Sequence, residues 1–459
     1  MTDHLSQSLD YASSQSATFL EDLTTLLKLP SISTAPEHKE DMLATADAVA
    51  KLLARTGLEH VRIMPTAGHP VVYGDWLNAG STVKTVLVYG HYDVQPVDPI
   101  SLWETGPFEP TRRGDYLFAR GASDMKGQIV AVLSAVRAWM VNGGCPVNLK
   151  FLIEGEEEIG SPHLKQFIQE NKELFKSDIA LNPDAGMVAA DIPTIVYALR
   201  GLAFFELTVH GPDHDLHSGL YGGVVHNPAV ALSELIAKMH DPNGRVTLPG
   251  FYDKVRPINS MEHEELSRLP MDESYYLKQT GASAVWGEPD FLPVERIGAR
   301  PTLEINGMIS GYTGAGTKTV LPAYALAKIS CRLVADQDPN DVYTQLRRFL
   351  EANAPLTIRY TLKFLGGDPA SATDPHNPSA QALAKALESV WGKQPVYRRE
   401  GGSIPVVGVM QQILGIDSVL TGFGLPDDCI HSPNERLHLP TWYMGIQSLV
   451  HFFTNLSEV

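Results

Sequence analysis

Short apolar runs alternate with amphipathic segments at both ends of the chain. Strands are predicted at residues 85–89 and 149–153, and helices at residues 9–28, 41–56 and about 126–141. From Ser379 the pattern resumes, with helices at 379–390 and 405–414, a strand at 417–420 and a last helix from Leu439. Such alternation favours an α/β layer with a mostly parallel sheet.

The middle of the chain has a different pattern. It predicts strands at 202–209, 323–334 and 356–365 and helices at 225–239 and 339–352, with a Pro-, Gly- and Glu-rich excursion at 243–303. This favours a smaller α+β domain of ferredoxin-like type inserted into the larger one. The predicted domains are therefore a catalytic domain made of residues 1–198 and 377–459, and an inserted domain at 199–376.

The charge and the cysteine content of the chain limit which partners and which cellular compartment are expected. The formal net charge of −17 argues against nucleic acid, because an acidic surface repels phosphate. The longest apolar stretch, 129–141, contains Arg137 and is too short for a bilayer, which argues against membrane insertion. The three cysteines include no C-x-x-C pair, and the amino terminus has no signal-peptide pattern. We therefore expect a cytoplasmic location.

Several polar residues follow predicted strands or begin a predicted helix. His91 comes directly after strand 85–89 and suits a metal ligand, with Asp93 holding its other ring nitrogen. A hydrogen-bonded histidine at a strand end is the plainer alternative. Asp124 precedes helix 126–141 and could instead be an ordinary N-cap.

The remaining candidates follow other strands. The run from Glu154 to Glu158 follows strand 149–153, where neighbouring carboxylates of an extended chain point to opposite sides. Asp184 and His431 come later in turn-like segments and are weak candidates alone. Together these residues offer imidazole and carboxylate ligands without thiolate, which suits Zn²⁺, Mn²⁺ or Co²⁺. A carboxylate bridging two such ions would make a two-metal hydrolytic site.

The chain resembles the M20 metallopeptidases, within them the dipeptidases similar to carnosinase. The resemblance rests on the phrases YGHYDVQP, RGASDMKG, EGEEEIGS, DLHSGLYGG, TKTVLP, REGGSIPV and HSPNERL. It implies two divalent metal ions per subunit, with zinc expected first and manganese or cobalt as alternatives. His91 and Asp184 would hold one ion, Glu158 and His431 the other, and Asp124 would bridge both.

The resemblance also implies catalytic roles and a partner. Asp93 would orient His91, and Glu157 would be the general base that takes a proton from water and passes it to the leaving amine. Glu156 has no family role and is expected to face solvent. The inserted domain would be a lid and dimerisation domain, through which His217 reaches the partner subunit's site in a homodimer.

A small peptide is the implied substrate, cleaved at its amide bond. Thr319, Arg332, Gly402 and Ser403 match residues that bind the substrate. Carnosinase-like members carry a histidine and a tryptophan where this chain has Leu365 and Ala370, so histidine dipeptides are not assigned as substrates.

Other functions remain open. An N-acyl-amino-acid deacylase or desuccinylase and a carboxypeptidase are alternatives of the same chemistry. A catalytically dead binding protein on this fold is a distant one, because it should have lost metal ligands. The segment 314–319 does not have the spacing of a nucleotide-binding loop.

Overall fold

The computed structural model describes residues 2–459, which form two compact units. The first unit contains the chain up to Tyr197, Thr373–Arg398 and Pro405–Val459, and the second contains Ala198–Ala372 and Arg399–Ile404. The short segment Arg399–Ile404 thus groups with the second unit, although it lies within the predicted second part of the catalytic domain.

Helices and strands of both units alternate along the described chain. The α-helices are α1 (Thr2–Ser14), α2 (Ser16–Leu27), α3 (Lys39–Thr56), α4 (Lys126–Met140), α5 (Leu164–Glu170), α6 (Lys172–Phe175), α7 (Ser218–Tyr221), α8 (Pro228–Ala237), α9 (Ser260–Ser267), α10 (Glu273–Thr280), α11 (Pro293–Gly298), α12 (Pro339–Asn353), α13 (Pro378–Trp391), α14 (Pro405–Leu414) and α15 (Leu439–Ser457). The strands are β1 (Glu59–Met64), β2 (Val71–Trp76), β3 (Thr85–His91), β4 (Thr111–Arg113), β5 (Tyr116–Phe118), β6 (Asn148–Glu154), β7 (Ile179–Asn182), β8 (Thr194–Leu199), β9 (Gly201–His210), β10 (Leu216–His217), β11 (Thr302–Ser310), β12 (Val320–Leu321), β13 (Tyr324–Leu333), β14 (Arg359–Asp368), β15 (Ser371–Ala372), β16 (Val396–Glu400), β17 (Ser418–Leu420) and β18 (Arg436–His438).

The first unit is built on a sheet whose neighbouring strands follow the order β1-β2-β6-β3-β7-β17-β8. Strand β3 is parallel to β6 and to β7, and β17 is parallel to β7. Strands β1 and β2 and the β17–β8 pair are antiparallel. The prediction of an α/β fold with a mostly parallel central sheet is confirmed. Parallel strands bring their carboxyl ends to one edge, where such sheets bind ligands.

The long helix α4 packs tightly inside the first unit, and nearly all of its residues are buried. A Cβ atom on Gly127 would lie 2.1 Å from the carbonyl oxygen of Ala122, so only glycine fits there. The indole N–H of Trp442, on α15, donates to the carbonyl of Gly127 (2.7 Å). The helix is thereby fixed against the turn that precedes it, the turn that carries Asp124.

The helix predicted at residues 9–28 is two helices, α1 and α2, which meet at Gln15. Ser13 and Ser14 donate their hydroxyls to the carbonyls of Leu9 and Tyr11. Serine side chains that bond to nearby backbone compete with helical hydrogen bonds. The sequence pattern showed the apolar face of both helices and missed this interruption.

The second unit is an antiparallel sheet in the order β11-β13-β9-β14. One face of β9 and β13 is buried against helices α8 and α12, in a core that includes Phe205, Ile329 and Cys331. Alternate residues, including Arg332, point to the other face. This is the predicted α+β layer, and its excursion contains the short helices α9, α10 and α11.

No helix within residues 2–459 combines the length and the apolar character that crossing a bilayer requires.

Candidate metal centre

The carboxyl ends of three neighbouring parallel strands carry the candidate ligands of the first unit. His91 is the last residue of β3, and Asp184 lies two residues beyond β7. Glu158 follows β6 in a short 3-10 turn, Glu157–Ile159. His91 is fully buried. Residues far apart in the chain therefore meet at one edge of the sheet.

One candidate group consists of His91, Asp124 and Asp184, whose ligand atoms all lie within 4.8 Å of one another. His91 Nε2 is 3.1 Å from Asp124 Oδ1 and 3.8 Å from Asp184 Oδ1. The backbone N–H of Asp184 donates to the side chain of the buried Asn182 (2.9 Å), which fixes the turn after β7. This group offers one imidazole and two carboxylates.

A second candidate group consists of Asp124, Glu158 and His431. His431 Nε2 is 3.0 Å from Asp124 Oδ2 and 3.3 Å from Glu158 Oε2. The two oxygens of Asp124 thus face different histidines, and Asp124 is the member common to both groups. His431 adopts φ of +59°, an uncommon conformation for a residue other than glycine that concentrates at functional sites.

The electrostatics of this cluster fit a pair of bound cations. Burial raises the pKa of Asp184 and of Glu158 above their ordinary values, although nearby histidines oppose the shift. Burial also acts on His91, but hydrogen bonds to Asp124, Asp184 and Asp93 outweigh it and raise the pKa of this imidazole. Packed carboxylates are costly without compensating positive charge. Nitrogen and oxygen ligands without thiolate suit zinc, manganese or cobalt.

Glu157 lies beside these groups without belonging to either of them. Burial raises the pKa of Glu157 to about 9. The charge of His91 opposes this shift, and the carboxylate of Asp184 adds to it. Neighbouring cations would lower that pKa by favouring the charged form. The position and the environment are those of a proton-transfer group whose pKa is set by its neighbours.

Asp93 supports two parts of the cluster at once. The Nδ1 atom of His91 lies 3.1 Å from the Asp93 carbonyl oxygen and 3.4 Å from its carboxylate. The same carboxylate accepts the backbone N–H groups of Glu157 (3.2 Å) and Glu158 (3.0 Å). Orientation of His91 was expected from the sequence, and the anchoring of the glutamate turn was not.

Glu435 is a positioning residue to which sequence reasoning assigned no role. Its buried carboxylate accepts from Arg120 Nη1 (2.8 Å) and from the backbone N–H groups of Gly121 (2.9 Å), Ser123 (2.9 Å) and Asp124 (3.0 Å). It therefore fixes the turn that carries Asp124. Its place four residues after His431, in the phrase HSPNERL, was the only signal available.

Gln95 is a further residue that the sequence reasoning missed. Its side-chain amide donates to Glu158 Oε2 (2.7 Å) and to the Glu158 carbonyl (3.3 Å). It restricts the orientation of this candidate ligand. Gln95 belongs to the phrase YGHYDVQP, so its motif was recognised although its contact was not.

The expectation that Glu156 faces solvent is wrong. Glu156 is buried, at 4% exposure. Its carboxylate accepts the backbone N–H of His69 (3.1 Å) and lies 2.9 Å from His163 Nδ1. Because residues 157–159 form a 3-10 turn, the alternation of an extended strand does not apply to this run.

The remaining candidate catalytic and substrate-binding residues lie at two places in the second unit. His217 is exposed at the end of β10, opposite Val320, and Ser218 donates its backbone N–H to the carbonyl of Thr319 (3.0 Å). Arg332 Nη1 donates to Ser403 Oγ (2.8 Å), next to Gly402.

The two departures from the carnosinase-like pattern also lie in the second unit. Leu365 is exposed at an irregularity of β14, and Ala370 follows that strand. An exposed leucine offers neither the ring nitrogen nor the hydrogen bond of a histidine.

Comparisons with known proteins agree with this geometry. The chain is 31% identical over 459 residues to the Cys-Gly metallodipeptidase dug1 of Schizosaccharomyces pombe, covering 96% of each protein. It is 31% identical to the human Beta-Ala-His dipeptidase over 400 residues, covering 85% of this chain and 78% of that protein. The crystal structure of the M20 family metallo-carboxypeptidase Sso-CP2 from Sulfolobus solfataricus matches with a TM-score of 0.85 and 34% identity, over 96% of this chain and 99% of that one.

The family model described as peptidase family M20/M25/M40 matches residues 87–455, a stretch that includes all the candidate metal ligands. Likeness to a metallodipeptidase over nearly the whole chain, likeness to a second dipeptidase over most of it, and two candidate ligand groups agree with a metal-dependent peptidase. The chain therefore belongs to the M20/M25/M40 family of peptidases.

Proposed function

We propose that this protein is a metal-dependent dipeptidase that cleaves the amide bond of small peptides in a reducing, cytoplasmic compartment. The observation that carries the proposal is the pair of ligand groups sharing Asp124, with Glu157 beside them. The free cysteines Cys145, Cys331 and Cys429 support the compartment. The full-length relatives are dipeptidases by name.

The geometry supports the following ligand roles. His91 and Asp184 would hold one divalent cation, His431 and Glu158 the other, and the two oxygens of Asp124 would serve both. We propose zinc, with manganese or cobalt as alternatives. Two such ions supply Lewis-acid activation of water and of the scissile carbonyl.

Glu157 is the proposed general base. Its carboxylate removes a proton from the attacking water and then delivers that proton to the leaving amine nitrogen. Asp93 keeps Glu157 in reach, because its carboxylate holds the Glu157 backbone N–H at 3.2 Å. A part-buried hydrogen bond therefore holds the backbone of the proposed base.

The substitution Glu157→Gln tests this proposal. It keeps the shape of the side chain and removes the base, so the rate of dipeptide hydrolysis should fall by about 10²–10⁴-fold. The metal content should stay at two ions per chain, because Glu157 is in neither ligand group. Glu173→Gln, at an exposed position of α6, is the matched control. Full activity of Glu157→Gln would remove the residue from the mechanism.

We further propose that the protein is a homodimer through the second unit, in which His217 acts in the partner's site by donating to the oxyanion of the tetrahedral intermediate. Thr319 and Arg332 would bind the free carboxylate of the substrate, aided by Gly402 and Ser403. The exposure of His217 and the hydrogen bond between Arg332 and Ser403 support these roles. A planar guanidinium suits a carboxylate through paired donors.

Mixing two inactive variants tests the dimer directly. A His217→Ala subunit retains Glu157, and a Glu157→Gln subunit retains His217. If His217 acts across the interface, mixed dimers contain one complete site, and activity returns after subunit exchange. If mixtures stay inactive although differently tagged subunits co-purify as mixed dimers, His217 does not act in the partner's site.

Carboxypeptidase activity is the second candidate, because the Sso-CP2 structure matches at 34% identity. A carboxypeptidase releases the last residue from tripeptides and longer peptides, whereas a dipeptidase requires a free amine next to the scissile bond. Comparison of Ala-Ala, Ala-Ala-Ala and N-acetyl-Ala-Ala as substrates separates the two activities. Adding N-acetyl-alanine to the panel detects an N-acyl-amino-acid deacylase.

A further inference from the structure

The second unit contains a cavity of about 330 Å³ that is lined by an unusual number of arginines. Arg200, Arg296, Arg300 and Arg332 line it, against the carboxylates Glu288 and Glu304. The chain as a whole has 53 acidic residues and 36 lysines and arginines. A net positive cavity in so acidic a protein indicates an anionic ligand.

Two of these arginines make hydrogen bonds to other residues of the second unit. Arg300 makes paired hydrogen bonds to Glu288 (2.9 and 2.7 Å). Arg296 donates to the carbonyls of Phe291 (2.9 Å) and Trp286 (3.2 Å). The charge of Arg300 is therefore paired with Glu288, whereas Arg296 is held in the wall of the cavity by backbone carbonyls.

Arg200 and Arg332 are linked through one loop, and neither has a carboxylate within 4.0 Å anywhere in the described chain. Arg332 Nη1 donates to Ser403 Oγ (2.8 Å), and Ser403 Oγ donates to the Arg200 carbonyl (2.5 Å). Arg200 Nε donates to the carbonyl of Gly401 (3.0 Å). One loop thus orients both guanidinium groups and leaves their charges unpaired.

The guanidinium charges of Arg200 and Arg332 repel each other. Burial, together with the nearby charge of Arg332, lowers the pKa of Arg200 to about 10. Glu304 opposes the shift but lies too far away for an ion pair. Two cations that are at least half-buried and have no counter-ion are unfavourable unless a ligand supplies negative charge.

The excursion between residues 243 and 303 forms part of the lining of this cavity. It contributes Trp286, Gly287 and Ile297, and β13 contributes Arg332. The volume is at the lower end of small-ligand sites, so it suits part of a small molecule. The apolar lining would pack against a carbon chain whose charged end meets an arginine.

We propose that Arg200 is a second carboxylate anchor beside Arg332, which makes this enzyme selective for dipeptides whose C-terminal residue is aspartate or glutamate. Arg332 binds the terminal carboxylate, as in the proposed function on which this inference rests. Arg200 binds the side-chain carboxylate of the same residue. Arg200 is thus a specificity-determining residue contributed by the second unit.

Matched acidic and neutral substrates test the proposal. The kcat/KM of the metal-loaded enzyme is measured for Ala-Glu against Ala-Gln and for Ala-Asp against Ala-Asn. We expect the acidic member of at least one pair to be favoured about tenfold or more, since charge-assisted hydrogen bonds are the stronger kind. In Arg200→Gln this ratio should collapse to about one, and Arg200→Lys should restore part of it.

Two further variants make the test independent of the stability of Arg200→Gln. Glu304→Gln removes the carboxylate whose negative charge acts on Arg200. This substitution should raise the preference for acidic substrates several-fold. Arg347→Gln changes an exposed arginine of α12 and should leave the ratio as it is. An acidic-to-neutral ratio near one in the unmodified enzyme, or an unchanged ratio in a folded Arg200→Gln, would overturn the proposal.

Calorimetry with free amino acids separates this inference from the proposed function. L-Glutamate or L-aspartate should bind at least about tenfold more tightly than L-glutamine or L-asparagine, and Arg200→Gln should abolish the difference. If no dipeptide is hydrolysed but this preference is found, the proposed reaction is wrong and the anion site stands. If dipeptides are hydrolysed without any preference for acidic residues, the reaction stands and the anion site is wrong.

Discussion

The substitution Glu435→Gln should destabilise the first unit and weaken metal binding together. Each oxygen of this buried carboxylate accepts from two donors, and glutamine replaces one oxygen with an N–H donor. Two donors then lose their acceptor, at about 1–3 kcal/mol each. Removing one partner of a buried ion pair costs about 3–5 kcal/mol, which agrees with that sum. Arg120, only 1% exposed, would keep an uncompensated charge.

Thermal unfolding and metal analysis measure the two effects. A loss of about 3 kcal/mol corresponds to a fall in Tm of about 3–5 °C, because a chain of this size has a large entropy of unfolding. Glu458→Gln, whose carboxylate lies 3.9 Å from Lys385 at the surface, should stay within about 0.5 kcal/mol of the unmodified protein. The reasoning is refuted if Glu435→Gln unfolds within about 1 kcal/mol of the unmodified protein and keeps its metal affinity.

Two further substitutions probe the same region. Asp93→Ala should lower metal affinity by about 10–100-fold in equilibrium dialysis, because His91 and the turn of Glu157 and Glu158 lose their anchor; unchanged affinity would contradict this. Burial raises the pKa of Glu154 to about 8 from 4.5, so the folded protein holds a proton that the unfolded chain releases. The free energy of unfolding should therefore fall by up to about 1.4 kcal/mol per pH unit as the pH rises from about 4.5 to about 8. Glu154→Gln should remove this fall. A pH-independent difference in unfolding free energy between the two proteins would disprove the assignment.

The place of His91 was predictable, because it follows an apolar strand whose carboxyl end lies at the ligand-binding edge of such a sheet. Asp184 was a weak candidate alone and was assigned through the family resemblance, and the structure places it 3.8 Å from His91. Asp124 was recognisable only in combination, since its place before α4 also fits an N-cap. The family resemblance removed that ambiguity, and the structure places Asp124 within reach of both histidines.

The orientation of the glutamate run was not predictable. Strand alternation assigns the sides of Glu156, Glu157 and Glu158 only while the chain is extended, and here it turns after Glu156. The burial of Glu156 depends on His163 and on the backbone of His69, which lie outside the phrase. Contacts of this kind join distant segments and leave no periodic signal.

The arginine cavity was unpredictable for a related reason. Arg200 precedes β9 in a sequence that gives no sign of its partners, and the excursion was marked only by its content of Pro, Gly and Glu. Only the structure shows that Ser403 links Arg200 to Arg332. A charge without a counter-charge is visible only once every neighbour is known.

Hydrogen bonds also join the sequence motifs that contain the candidate ligands. Asp93, in the first phrase, fixes the backbone of Glu157 and Glu158 in the third. Glu435, in the last, fixes the backbone of Asp124 in the second. Each anchor is a buried carboxylate bound to backbone N–H groups, so it sets position through the main chain while the side chains beyond it stay available to a ligand. The candidate metal centre therefore has a fixed geometry although most of its candidate ligands lie outside the strands, and loss of one anchor should disturb candidate ligands in a different part of the sequence.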